Sequence, residues 1–338
     1  AEVGIRDKLV TGVQTCALPI SITKGVKMTN LKKIGLTALA GSLAVTGFAQ
    51  AGELSVNGTA RMEYQSTKAT ATTAADTFAQ TASITFSGSG ELDNGNTVSF
   101  TSVRTGAATT SQSVTLDMGD MGTVSMASMN LAGIGTIQDM VPNGGEQPWD
   151  DLATGAGAHG TPEQGVASPH AANRLGYSNT MGGAIVSAAI NYENNSPTTS
   201  VAVQLPNLVE GLNIGAGMAN DASAAGVEDD ITTMYVKYAM GAVSVGYQTT
   251  DVEKTLASRD IERTAYGISF AVNDNLSIGY GISDTEFEQF TPDEENVGVG
   301  IAYTSGGMKL GLINNTKDNA GGVAGAQEMT ELQLTFAF

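Results

Sequence analysis

The chain has 338 residues and a net charge of −18, with only 15% of its residues charged. So acidic a chain offers no basic face for a phosphate backbone, which excludes nucleic acid as the partner. Its apolar content of 41% is patterned along the sequence, which excludes disorder as a global description.

Two N-terminal segments stand outside the fold. Residues 1–27 read as foreign to the protein, because Gly12 to Ile20 resembles the translation of a sequencing-library adaptor. Met28 then opens a secretory signal over 28–51, with Lys32 and Lys33, an apolar run from Ile34 to Val45, and Ala49-Gln50-Ala51 as an A-x-A cleavage site. The run falls short of the ~20 apolar residues a spanning helix needs. Cleavage after Ala51 leaves 52–338. The only cysteine, Cys16, lies before that point, so the mature chain carries no disulfide framework, thiol nucleophile or cysteine metal site.

From Gly52 the chain alternates. Leu54, Val56, Gly58, Ala60, Met62 and Tyr64 interleave with Ser55, Asn57, Thr59, Arg61, Glu63 and Gln65. Side chains alternate across a strand, so this segment has one apolar or small face and one polar face. Ala82, Ile84 and Phe86 repeat the pattern, and Asp93-Asn94-Gly95-Asn96 supplies a tight turn. Thr97 to Thr101 follows, broken at Val103-Arg104 by a bulge or a strand end; then Ser113–Met118, the turn 119–122, and Thr123–Met129. That makes about five strands.

Residues 130–172 interrupt the series with both histidines, the only tryptophan and no regular apolar period. A structureless stretch this long is usually functional or disordered. It reads as a loop folded into the lumen of a barrel. After it, Arg174–Thr180, Ala184–Tyr192, Thr199–Leu205, Leu212–Met218, Thr232–Met240, Val243–Thr249, Arg263–Val272, Leu276–Ser283, Val297–Tyr303, Met308–Asn314 and Met329–Phe338 bring the expected total to about sixteen. The connections sort into very short turns and longer polar ones, the latter around Thr67–Asp76, Asp221–Asp230, Asp251–Arg259, Glu286–Glu295 and Lys317–Gln327. Short/long alternation is a mark of transmembrane β-barrels. Gly298 and Gly300 fall on the inner face, where a wall facing water needs no packing; a soluble sandwich would want bulk there.

An apolar alternation with Phe336 and ending on Phe338 looks like the last strand of outer-membrane barrels, which the barrel assembly machinery recognises. Together with the signal segment and strand count, the chain resembles the general porins of Gram-negative bacteria, most closely the alphaproteobacterial type. Glu53 to Tyr64 is similar to their first strand, and Asn173 to Ser178 to the strand after their constriction loop. The resemblance spans Met28 to Phe338. It implies an all-β, sixteen-stranded antiparallel transmembrane barrel whose long loop follows strand five and folds into the pore. It also implies a homotrimer in the outer membrane, in contact with lipopolysaccharide and passing small hydrophilic solutes by diffusion.

In that family, loop acids face wall bases. Here the loop offers Asp139, Glu146, Asp150, Asp151 and Glu163; alternation points Arg61, Arg174, Lys237, Arg263 and Lys309 inward and Arg104 outward. The first five strands carry fewer bases than the family's arginine cluster. Carboxylates in a narrow water path attract cations, so the pore is expected to lean towards cations. Outward Tyr64, Tyr192, Tyr238, Tyr266, Tyr303 and Phe338 would anchor the interfaces.

No enzyme is expected. Gly155 to Gly160 matches G-x-G-x-x-G, but with no strand before it or helix after it the match reads as chance, and His159 and His170 as surface-loop residues. No cofactor is expected either, although Glu228-Asp229-Asp230 and Asp293-Glu294-Glu295 could hold Ca²⁺ or Mg²⁺. A secreted or surface-attached all-β structural protein or adhesin is the alternative function. Phe338 and the turn alternation favour the barrel.

Overall fold

The computed structural model describes residues 54–69, 72–150, 152, 174–193, 196–224, 227–255 and 259–338. The adaptor-like segment, the signal, Asp151, Glu163, the G-x-G-x-x-G match and both histidines lie outside the described residues. The chain divides into units Ala1–Ala51 and Gly52–Phe338, and the second holds every described residue.

Sixteen strands form one closed antiparallel barrel in which each pairs with its sequence neighbours and β1 pairs with β16. They are β1 Leu54–Ala69, β2 Thr72–Glu91, β3 Thr97–Thr105, β4 Ala108–Asp117, β5 Thr123–Ala127, β6 Arg174–Met181, β7 Ala184–Glu193 and β8 Ser196–Val209. There follow β9 Leu212–Ala224, β10 Val227–Met240, β11 Val243–Glu253, β12 Ile261–Ala271, β13 Leu276–Phe287, β14 Phe290–Ser305, β15 Met308–Asp318 and β16 Ala326–Ala337. Closure leaves no unpaired edge, which is how a sheet satisfies its backbone in lipid. The last bonds of the seam are made at the C-terminus: Phe338 N donates to Gly58 O (2.9 Å) and Gly58 N to Phe338 O (2.7 Å).

The period-two pattern decides which face looks out. Val56, Met62, Val201, Met218, Met234, Tyr266, Val299, Ile301, Leu312 and Leu332 are exposed on the outer face. Tyr238, Phe270, Tyr303 and Phe338 sit outward near the short turns, and Tyr64, Phe78 and Tyr192 outward towards the other end. These positions match two interfacial girdles. Arg104 faces outward opposite Ile84, and the irregularity expected at Val103-Arg104 is a register shift in the β3–β4 pairing.

One expectation is corrected. Most of the longer polar connections are not loops. β1 runs to Ala69 and β2 starts at Thr72, β9 runs to Ala224 and β10 starts at Val227, and β13 runs to Phe287 with β14 starting at Phe290. Antiparallel pairing satisfies backbone groups in water as well as in lipid, so polar sequence beyond the apolar belt continues the ladder instead of ending it. Lys68 opposite Glu328 shows this, with the two charges 3.3 Å apart across the β1–β16 seam.

Candidate pore constriction

The segment following β5 lies against the polar, inward face of the wall. Its first turn closes on itself: Asn130 Nδ2 donates to Gln138 Oε1 across the short 3-10 turn Gly133–Ile137. Gly133 sits at φ +69 against Ser200 and Ala189, where Ser187 Oγ donates to its carbonyl (3.2 Å) and Ser200 Oγ accepts from Ile134 N (3.3 Å). Ile134 and Ile137 are fully buried with Ala202, Ala219, Ile231, Tyr235, Val252, Ile261 and Phe287. These apolar residues point into the barrel, so this side of the lumen is a packed core and not a wet wall. Gln248 ties the next step: its Nε2 donates to Ile137 O (2.9 Å) and its Oε1 accepts from Met140 N (2.8 Å).

The segment then crosses a row of inward glycines. Pro142 lies on Gly246 of β11 and Gly267 of β12, Gly144 on Gly279 of β13 and Gly300 of β14, and Pro148 on Gly281 and Gly298. This corrects the reading of Gly298 and Gly300 as a wall left unpacked for water. Both are buried: a Cβ on Gly298 would meet Asn315 and Pro148, and one on Gly300 would stand 3.2 Å from the Gly144 carbonyl. Farther on, Glu146 Oε2 accepts from Gln333 Nε2 of β16 (2.6 Å) and Asn315 Nδ2 of β15 donates to Gln147 O (3.2 Å). The chain then returns to β12, where Trp149 stacks on the Arg263 guanidinium at 4.6 Å.

Two charge groups result. In the first, Asp139 and Asp150 of the loop meet Arg263 of the wall. Arg263 is 2% exposed, covered by Trp149, and donates from Nη2 to Ser283 Oγ (3.1 Å). Burial, and then the neighbouring Asp150 charge, push the Asp139 carboxyl up to about 7 against the opposing pull of Arg263 and a bond with Gln138. Asp139 also holds φ +55, and its Oδ1 is buried with no hydrogen-bond partner among the described residues. In the second group, Glu146 is brought to Gln333, the register partner of Glu63 on β1, and Glu63 pairs with Arg61 (Nε to Oε2, 2.7 Å).

The other expected residues stand apart. Arg174 is buried at the start of β6, and Lys237 is half-buried on the inner face of β10, opposite Gly246. Lys309 Nζ reaches Gly145 O at 3.5 Å. Phe336 and Phe338 are exposed on the outer face of the seam. The two acidic tracts are engaged within the protein. Asp229 bonds Lys254 and Thr255, and Glu294 bonds Gly321 N and Asn296 with Lys317 at 3.8 Å. Among the described residues no group of three or more His, Cys, Asp or Glu is arranged to hold a metal ion. Sequence reasoning missed Gln248, Gln333 and the role of the glycine row. The row was visible as glycines recurring at inward parity on β11 to β14.

A closed sixteen-stranded barrel, apolar outside and polar within, with a segment seated in its lumen, defines a channel-type protein of the outer membrane. A Gram-negative porin family model matches residues 35–310, and the chain belongs to that family. It is therefore an outer-membrane porin, a multi-pass β-barrel channel. No curated protein sequence matches.

Among solved structures, the anion-selective porin from Comamonas acidovorans is similar, with 14% identity and a TM-score of 0.63 over 85% of this chain and 100% of that one. A triple mutant of the Rhodopseudomonas blastica porin gives 14% and 0.61 over 85% and 100%. Outer-membrane expressed OmpT of Vibrio cholerae gives 12% and 0.61 over 86% and 99%. At such identities the likeness concerns the fold.

Proposed function

We propose that this porin is a passive diffusion channel for small hydrophilic solutes and ions, with a preference for cations. The observation that carries the reading is the described part of the loop, seated inside the barrel against wall strands from β7 to β16, where it narrows the lumen. The cation preference is supported by charge placement. Arg263 lies under Trp149 and Arg174 and Lys317 are buried, which leaves Arg61, paired with Glu63, and Lys237 and Lys309 as the inward bases that meet water. Glu146 and Asp150 are half-buried on the loop. The selectivity of the Comamonas porin belongs to that protein's own charges.

A homotrimer is part of the proposal. β5 has five residues and β6 eight, fewer than the ~9–11 a tilted strand needs to cross the hydrocarbon. A second copy of the chain covering that sector fits the short spans. Lipopolysaccharide contact elsewhere and recognition of Phe336 and Phe338 by the barrel assembly machinery complete the reading.

The test is the zero-current potential of the purified protein in a planar bilayer under a salt gradient. A cation-selective potential that moves towards zero in Glu146→Gln/Asp150→Asn supports the proposal. An anion-selective potential would discard the cation preference, and absence of conductance from a folded barrel would discard the channel.

A further inference from the structure

The wall glycines do more than tolerate the loop. The interior of a protein is close-packed, and a methyl group added at a tight contact must displace something. A Cβ on Gly279 would overlap the Gly144 nitrogen and stand 2.5 Å from the Asn143 carbonyl carbon. One on Gly144 would overlap the Gly279 nitrogen and the Gly300 oxygen. One on Gly281 would stand 2.8 Å from Pro148 Cγ, and one on Gly298 would overlap the Asn315 side-chain oxygen and stand 2.8 Å from Pro148 Cα. At Gly279 and Gly144 backbone meets backbone, and at Gly281 and Gly298 the loop presents the rigid Pro148 ring; neither can turn aside as a flexible side chain can. Ordinary Cβ contacts begin at 3.4 Å, so the loop would have to retreat by ~1.4 Å at Gly279. The loop, and not the wall, must give way, because the wall is held by strand pairing on both sides of β13, and giving way moves it off the wall towards the lumen.

We propose that Gly279, Gly300, Gly281 and Gly298 are positioning residues that set the bore of the channel. They form a seat one Cβ deep, and the loop lies as close to the wall as two backbones can. The inference rests on the channel reading. It further assigns the constriction's width to residues that never touch the solute and carry no charge.

The experiment compares Gly279→Ala with Gly311→Ala in the full protein extracted from outer membranes. Gly311 is also an inward glycine, on β15, but a Cβ there meets nothing closer than 3.7 Å. The readouts are single-channel conductance and the largest sugar that enters proteoliposomes, with heat-modifiable gel migration as the measure of folding. Gly279→Ala should lower unitary conductance by roughly a third and reduce the sugar cut-off, while Gly311→Ala matches the parent. Equal conductance in a folded Gly279→Ala barrel overturns the proposal, as does an equal drop in Gly311→Ala. Should Gly279→Ala fail to fold, Gly300→Ala offers a milder intrusion, at 3.2 Å from the Gly144 carbonyl group, with the same expected direction. A parent protein that does not conduct would instead sink the channel reading.

Discussion

Asp139→Asn should lock the loop at neutral and alkaline pH. In the seated loop the Asp139 carboxyl titrates at about 7, because burial and then Asp150 oppose its charge more than Arg263 and Gln138 favour it. A solvated Asp titrates near ~3.9. The seated form therefore holds its proton between about pH 4 and 7, where the released or unfolded form has lost it. The sign follows: the seated state is unpenalised below about pH 4, loses ground as pH rises through 7, and carries the full cost above that. Three units at ~1.36 kcal/mol each give a cost of about 4 kcal/mol, or roughly a thousandfold in the seating equilibrium. Asn keeps the backbone content, since φ +55 is a conformation Asn adopts as readily as Asp. Trp149 is the assay: it is the chain's only tryptophan, 3% exposed, and adjacent to Asp150. Iodide quenching of Trp149 in the parent should increase from pH 5 to pH 8.5, and in Asp139→Asn it should stay low throughout. A variant that follows the parent's pH curve would refute the reasoning, because the titrating group would then lie elsewhere.

Two further outcomes follow from the same geometry. Arg263→Met should remove the stack on Trp149 and the bond to Ser283 together, costing ~1–3 kcal/mol of loop anchoring, seen as a red-shifted Trp149 emission and noisier open-channel current. Deleting Phe338 removes both seam bonds with Gly58, whereas Phe338→Ala keeps them; folded barrel recovered from membranes should fall further for the deletion than for the substitution, and equal yields would place the effect in the ring instead.

The barrel was legible because each strand announces itself. Alternation from Leu54 to Gln65 fixes which side chains point inward, and Arg61, Lys237 and Arg263 lie inward as parity requires. Closure needs no further information once sixteen strands pair in order. Strand ends were harder to read. Polar residues such as Lys68 and Glu328 look like loop in sequence but continue the ladder, because composition marks the edge of the lipid belt and not the end of hydrogen bonding. The loop's seating was not legible. Asp139 and Asp150 could be named, but no pattern places them over Arg263, since the loop's path is set by contacts far away in sequence. Gln248 fixing Ile137 and Met140 is one such contact, and Gln333 holding Glu146 is another.

The described part of the loop engages much of the wall. Its described residues seat on β7 to β9, β11 to β16 and the core beneath, and the inward positions of β2 to β4 are largely hydroxyls, among them Ser83, Ser87, Thr101 and Thr115. Their register runs Ser83 to Thr105 and Thr101 to Ser113, and Ser83 and Thr105 share a 2.9 Å bond. Such a wall offers hydrogen bonds to solutes, with fixed charge only at its end, where Glu91 and Asp117 continue the same parity. On the proposed reading the transverse field has few sources: Glu146 and Asp150 on the loop and Arg61, Lys237 and Lys309 on the wall, modulated by how far Asp139 is ionised. A field with so few sources is easily cancelled by salt, because the screening length at 0.1 M is only ~10 Å. Ion preference in this porin should then be strong in dilute solution and fade as ionic strength rises, while the bore, fixed by the glycine seat, stays the same.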